Sequence, residues 1–209
     1  MIGAALLLVL LSAFLALISL LIKLDSSGPV IYQQERVGCR RRRRGGVTTW
    51  ELRTFPFYKF RTMFCDADQS LHRRYVRAFC EGQIVAEKTS GAAFKLKNDS
   101  RVTRVGRILR RTSLDELPQL FNVLVGDMSL VGPRPVPPYE VEHYQAAHYE
   151  RFTALPGISG LWQVRGRGRV PFEEMMRMDI EYTQRCSMWL DLKVLMLTIP
   201  AVIWGQGAN

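Results

Sequence analysis

The sequence predicts an α/β protein, mostly helical with a small β-hairpin, carried on an N-terminal membrane helix and flanked by amphipathic interfacial helices. Three observations carry that expectation. The first 22 residues, MIGAALLLVLLSAFLALISLLI, hold no charged side chain. Two β-rich stretches, VIYQQERVG and TTWELRTFPFYKFRTM, flank a Gly45-Gly46 pair. Beyond Ser100 apolar residues recur at helical spacing.

As a helix the apolar segment is about 33 Å long, roughly the thickness of a bilayer core. It lacks the basic start and small-residue cleavage site of a signal peptide. A soluble helix apolar on every face would be unusual. Residues 1–24 are therefore expected as a membrane-inserted helix and 25–209 as one domain. Arg36 and the run Arg40 to Arg44 follow the segment, so the positive-inside rule places that domain in the cytoplasm. A net charge of +10 fits an anionic lipid surface or anionic substrates, and nucleic acid would satisfy it equally.

After a break at Gly28-Pro29, VIYQQERVG reads as a strand and the arginine run as an exposed connection, solvated or on lipid. The second β-rich stretch closes a hairpin. Residues 66–98 carry no strong motif. Arg101, Arg104, Arg107 and Arg110 recur every three residues, with Val102, Val105, Ile108 and Leu109 between them. A helix there has a basic and an apolar face; it lies on a membrane, presents arginines to phosphate, or is an ordinary surface helix. LPQLFNVLVG is the next helix, ended by Gly126 and Pro133-Arg134-Pro135. Residues 139–152 read as helical, 156–160 as a turn, GLWQV as strand-like and 172–185 as a helix. The C-terminal SMWLDLKVLMLTIPAVIW, interrupted by Asp191, Lys193 and Pro200, reads as an interfacial amphipathic helix or as core.

Four cysteines show no CxxC and no spacing shared with a histidine, which argues against zinc and for reduced thiols. His143 and His148 are five apart, off the spacing of a helical metal pair, and read as surface residues.

The chemistry-bearing candidates cluster in RRTSLDELPQLFNVLVGDMSLVGPRP, where Asp115 and Glu116 follow Arg110 and Arg111. Carboxylates beside guanidinium groups suit chemistry on phosphates. The bland alternative is a Ser113–Glu116 capping box. Pro118 opposes it, because with Asp115 as N-cap the proline falls at N3 and loses no hydrogen bond. Both carboxylates then sit at a helix mouth that favours anions. Arg134, fixed between two prolines, is a phosphate clamp or part of a rigid surface loop. Lys59 and Arg61 share a strand face and are ordinarily solvated. Arg165, Arg167 and Arg169, interleaved with glycines, cradle a diphosphate or form a flexible basic loop. Asp179 defaults to a salt bridge with Arg177 or Arg185.

In order along the chain, the apolar N-terminus, GPVIYQQERVG, YKFRTM, RVTRVGRILRRTSLDELPQLFNVLVGDMSLVGPRP, PGISGLWQVRGR, MDIEY and LDLKVLMLTI resemble the bacterial sugar transferases. These are monotopic phosphoglycosyl transferases that begin glycan assembly on polyprenol phosphate. The resemblance implies transfer of a sugar 1-phosphate from a UDP-sugar to undecaprenyl phosphate, with Mg²⁺ as cofactor and UMP as product. This is the first membrane step of exopolysaccharide, O-antigen (lipopolysaccharide) or glycoprotein glycan assembly. It implies Asp115 as nucleophile and Glu116 as its partner, both as metal ligands, and Lys59, Arg110, Arg134, Arg167 and Asp179 as polar positions around substrate phosphate. It implies the cytoplasmic face of the bacterial inner membrane, no role for nucleic acid, and room for a homodimer. The family's N-terminal helix is re-entrant, broken at a Ser-Pro pair; here the pair is Ser12-Ala13, so a bend from Ser12 bonding back and a straight span are both open.

Overall fold

The apolar N-terminus forms two helices, α1 (Ile2–Leu10) and α2 (Ser12–Asp25), bent by 60° about Leu11. The structure is a computed structural model and describes residues 2–65, 68, 70–83, 99–166 and 170–203. Among these no single helix is long and apolar enough to cross a membrane, although the bent pair meets that test together. The bend has a tertiary cause. Ala4 on α1 is buried with Phe55, Phe57, Leu120 and Val123, whereas Ile18 and Ile22 on α2 are buried with Phe60 and Leu109. Each arm covers its own apolar cluster, so straightening the pair would return one cluster to solvent. Ser12 is not the device, since its hydroxyl has no partner among the described residues.

The exit from α2 is tied down by polar groups. Asp25 Oδ2 accepts from the backbone N–H of Val105 at 2.9 Å. Arg61, rather than being solvated, is buried and donates to the carbonyls of Ser26, Ser27 and Pro29 at 2.8, 2.7 and 2.6 Å. It satisfies carbonyls at the end of a helix, a place that favours a cation.

Strands β1 (Ile31–Arg44) and β2 (Val47–Phe60) pair antiparallel, from Ile31 opposite Phe60 to Arg44 opposite Val47. Gly45 and Gly46 turn the chain with φ of +57° and +82°, the two positive values a tight hairpin turn requires. The arginine run is thus the end of β1, not a connection. Cross-strand bonds satisfy its backbone while Arg40, Arg41, Arg42 and Arg43 stay exposed, and Arg42 pairs with Glu51 at 2.7 Å.

Helix α3 (Ser70–Cys80) is followed, past residues 84–98, by α4 (Arg104–Arg111). The three-residue arginine pattern splits here. Arg101 pairs with Asp99 ahead of the helix, and Thr103 caps α4 by accepting from Gly106 N–H at 3.0 Å. A 3₁₀ turn (Leu114–Glu116) leads to α5 (Gln119–Val125). Buried Asn122 on α5 accepts from Tyr58 N–H and donates to Pro56 O, serving the β2 backbone where Pro56 interrupts it.

The segments that read as a turn and the start of a strand are reversed. Strand β3 (Ser129–Val131) pairs parallel with β4 (Gly157–Ser159), and GLWQV forms the short helix α7 (Leu161–Arg165) after α6 (Pro138–Val141) and a 3₁₀ segment (Ala146–Thr153). Gly132 and Gly157 let the two backbones meet, because a Cβ on Gly157 would fall 2.0 Å from Gly132 N. Gly132 N–H donates to Ser159 O and Gly157 N–H to Pro133 O, both at 2.9 Å, which pins the Pro133-Arg134-Pro135 loop at its base. Helix α8 spans Phe172–Arg185, the bounds expected from the sequence. Helix α9 (Met188–Ile203) buries Val194 and exposes Met188, Trp189, Leu192, Met196 and Ile199. Its outer side is therefore largely apolar, as are the exposed sides of α1 and α2.

Candidate active site

The hairpin root, α3, the end of α4, the 3₁₀ turn and the Pro133-Arg134-Pro135 loop enclose a cavity of about 640 Å³. Asp115, Glu116, Lys59, Arg110 and Arg134 all line it.

The acid pair reaches the cavity through an unusual turn. Ser113 adopts the left-handed conformation at φ 56°, the only non-glycine residue among those described with positive φ. That conformation costs roughly 1–2 kcal/mol. It folds Leu114–Glu116 back on α4, so that Arg110 in the last turn of α4 and Asp115 face one space. The helix start expected at Asp115 does not form. Helix α5 begins at Gln119 with Pro118 as its N-cap; the i→i−3 bonds of the 3₁₀ turn, from Glu116 N–H to Ser113 O and Leu117 N–H to Leu114 O, end before the proline, and those of Leu120 N–H to Leu117 O and Phe121 N–H to Pro118 O begin past it. Its missing N–H is therefore never needed. The capping box is absent too: Ser113 makes no side-chain cap, and Glu116 accepts from Arg134 Nη2 at 2.8 Å. A three-residue turn offers little dipole, so anion affinity here must come from side chains.

Those side chains are cations. Lys59 Nζ sits 5.3 Å from the centre of the Tyr32 ring. Burial pulls Lys59 down to about 8, with Asp115 opposing and Arg36, Arg110 and Arg134 adding to the depression. Burial also lowers Arg110, again with Asp115 opposing. For Arg134, burial alone would lower the pKa, but the charge and hydrogen bond of Glu116 outweigh it and the net shift is upward. A further cation, Arg36, lines the same cavity and is brought down to about 10 by burial and by Arg134. It was not among the sequence candidates, although its alternation with Tyr32 and Gln34 on β1 puts all three on the strand face that carries Lys59. His72, also lining the cavity, is held near 4 by burial and then by the surrounding cations, so it is neutral at pH 7.

Behind the loop lies a buried network. Arg151 donates to the carbonyl oxygen of Arg134 at 2.9 Å, to Asp179 Oδ2 at 2.5 Å and to the hydroxyl of Tyr144. Asp179 is fully buried, and it pairs with Arg151 instead of Arg177 or Arg185, which go to Glu174 and Glu181. Burial pushes Asp179 up to about 6 against the pull of Arg151. It does not line the cavity, so its route to the site runs through Arg151 to the backbone of Arg134. His143 is exposed as expected, whereas His148 is buried, its Nδ1 accepting from Gln145 N–H. Arg165 is exposed and 3.6 Å from Glu181, while Arg167 and Arg169 lie outside the described residues.

Among the described residues no three His, Cys, Asp or Glu side chains converge on one point. Asp115 and Glu116 alone are too few for an all-protein metal cage. They do fit Mg²⁺, which typically takes one or two carboxylates and fills its remaining positions with substrate phosphate and water.

A family model described as bacterial sugar transferase matches residues 1–205. The chain is 43% identical to a UDP-glucose:undecaprenyl-phosphate glucose-1-phosphate transferase of Caulobacter vibrioides, over 99% of this chain and 69% of that protein. It is 38% identical to the exopolysaccharide production protein ExoY of Rhizobium meliloti, over 99% and 84%. It is 42% identical to an undecaprenyl-phosphate galactose phosphotransferase of Salmonella typhimurium, over 87% of this chain and 35% of that protein. The chain thus spans about a third of that relative's length, and 36% of a galactosyl transferase from Streptococcus agalactiae.

Proposed function

The chain belongs to the bacterial sugar transferase family, and on that premise we propose that it transfers a sugar 1-phosphate from a UDP-sugar to undecaprenyl phosphate through a covalent aspartyl intermediate. The observation that carries this reading is the buried Asp115 carboxylate, opening on a cavity it shares with Lys59, Arg110 and Arg134.

A carboxylate approaching a diphosphate meets like charge, and in a cavity of low dielectric only fixed cations offset that repulsion. In the proposed first step an Asp115 oxygen attacks the β-phosphorus. The bond from that phosphorus to the bridging oxygen breaks, its electron pair stays on UMP, and the sugar phosphate remains on Asp115 as an acyl phosphate. In the second step a phosphate oxygen of the polyprenol attacks the same phosphorus and frees the carboxylate. Arg134 clamps the transferred phosphate, and Glu116 fixes the guanidinium that does so. Mg²⁺, held by Asp115 and Glu116 together with substrate phosphate, would supply further charge neutralisation.

The bent apolar pair α1–α2 and the apolar outer side of α9 support a re-entrant insertion that leaves the catalytic part on the cytoplasmic face of the bacterial inner membrane. Exposed Arg104, Arg107 and Arg111 on α4 suit an anionic lipid surface. The names of the Caulobacter and Rhizobium relatives point to hexose transfer in exopolysaccharide synthesis. A screen of UDP-sugars with undecaprenyl phosphate, followed by UMP release, tests the reading. At least one UDP-hexose must be turned over; no release from any of them contradicts it.

Lys59 gives the reaction a pH limit. With its free-enzyme pKa near 8, the ammonium is lost as pH rises through that value, and kcat/KM should fall by about tenfold per pH unit above it. Lys59→Arg, which stays charged, should flatten that limb. An unchanged alkaline limb in Lys59→Arg would assign the titration to another group.

A further inference from the structure

Arg36 and Lys59 both line the cavity and share one feature. Among the described residues neither has a carboxylate within ion-pair distance, whereas Arg134 is paired with Glu116. Arg36 Nη1 donates to Pro135 O at 3.2 Å and Nη2 to Gln34 Oε1 at 2.9 Å, both neutral acceptors, and its buried Nε has no partner. Withdrawing a charge from water without an opposite charge is costly, so such a group implies an anion that arrives from outside.

The strand geometry shows which anion fits. Lys59 stands opposite Tyr32, and the Arg36 guanidinium leans back over the ring of Phe57, 5.2 Å from its centre. Phe57 is two residues from Lys59 on the same face of β2, so the two charged heads are offset along the strand by on the order of 7 Å. That spacing suits two successive phosphates of one diphosphate. Arg134 acts on both cations, but Asp115 acts on Lys59 and is not among the groups acting on Arg36, where Glu140 supplies the negative charge instead. The phosphate under attack therefore belongs beside Lys59, and its neighbour beside Arg36.

We propose that Arg36 binds the nucleoside-side phosphate of the UDP-sugar, the one that departs in UMP. This rests on the transfer reading above and adds to it a seat for the leaving group. When the bridging bond breaks, its electron pair becomes a new negative charge on the departing phosphate, and a guanidinium already fixed there stabilises that charge as it forms. Tethering by Pro135 O and Gln34 keeps the fork in place without neutralising it.

The test is equilibrium binding of UMP and of uridine to the full chain in detergent micelles, for wild type, Arg36→Ala and Arg36→Lys. Arg36→Ala should weaken UMP about 10- to 100-fold and leave uridine within twofold, with Arg36→Lys in between. Uridine carries no phosphate, so a purely structural role for Arg36 would weaken both ligands alike. Equal loss for both ligands, or unchanged UMP affinity, overturns the assignment. Failure of the wild-type chain to bind UMP at all would instead overturn the transfer reading on which it rests.

Discussion

Asp115→Asn is expected to lower turnover by on the order of 10⁴-fold or more, measured as UMP release, while UMP affinity changes only a few-fold. The amide is nearly isosteric with the carboxylate, and Asp115 is 9% exposed, so the substitution leaves the packing of the 3₁₀ turn in place. What it removes is the anionic oxygen that, on the proposed route, forms the bond to phosphorus. Loss of a general electrostatic contact would cost far less, about 10- to 100-fold. Residual activity in that smaller range would therefore move the nucleophile elsewhere. Glu116→Gln should be milder than Asp115→Asn, because Glu116 forms no bond to phosphorus on this route and its amide still accepts from Arg134, which lies at 2.8 Å.

Asp179→Ala is expected to destabilise the domain by roughly 3–5 kcal/mol, although the carboxylate never faces the cavity. It would leave the Arg151 guanidinium, 1% exposed, buried beside Tyr144 and the Arg134 carbonyl without its counter-ion. In a domain of this size such a loss lowers the melting temperature by on the order of 10 °C. Activity should fall even below the melting range, because Arg151 is what fixes the backbone of Arg134. Asp179→Asn keeps a hydrogen-bond acceptor and should lose less. A melting temperature within about 2 °C of wild type in Asp179→Ala would show that the network does not hold the loop.

The hairpin and α8 were legible in the sequence because each carries a local signal. Two glycines at the turn and alternation along β1 and β2 define the first, and a 3.6-residue apolar period defines the second. The parallel pair β3–β4 was not, since three residues are too few to show a period and the contact depends on Gly132 meeting Gly157 across the fold. Pro118 correctly excluded a helix running through it from Ser113. The left-handed turn at Ser113, which sets the true register, has no signature in a serine. The partners of Asp179 and Arg61 were missed for one reason. A sequence neighbour for Asp179 and solvent for Arg61 are the default expectations, whereas Arg151 is 28 residues from Asp179 and Ser26 is 35 from Arg61. Long-range pairing of buried charge is decided by topology, which composition and spacing do not encode.

On the covalent route the sugar phosphate rests on Asp115 between donor and acceptor. The most direct test of that intermediate is the intact mass of the protein, rapidly quenched after mixing with a competent UDP-sugar and Mg²⁺ but without lipid phosphate. The covalent route predicts a gain of one sugar phosphate on the peptide containing Asp115, close to one equivalent of UMP released, and no gain in Asp115→Asn. UMP release that requires undecaprenyl phosphate, with no adduct at any quench time, would contradict it and assign the attack to the lipid.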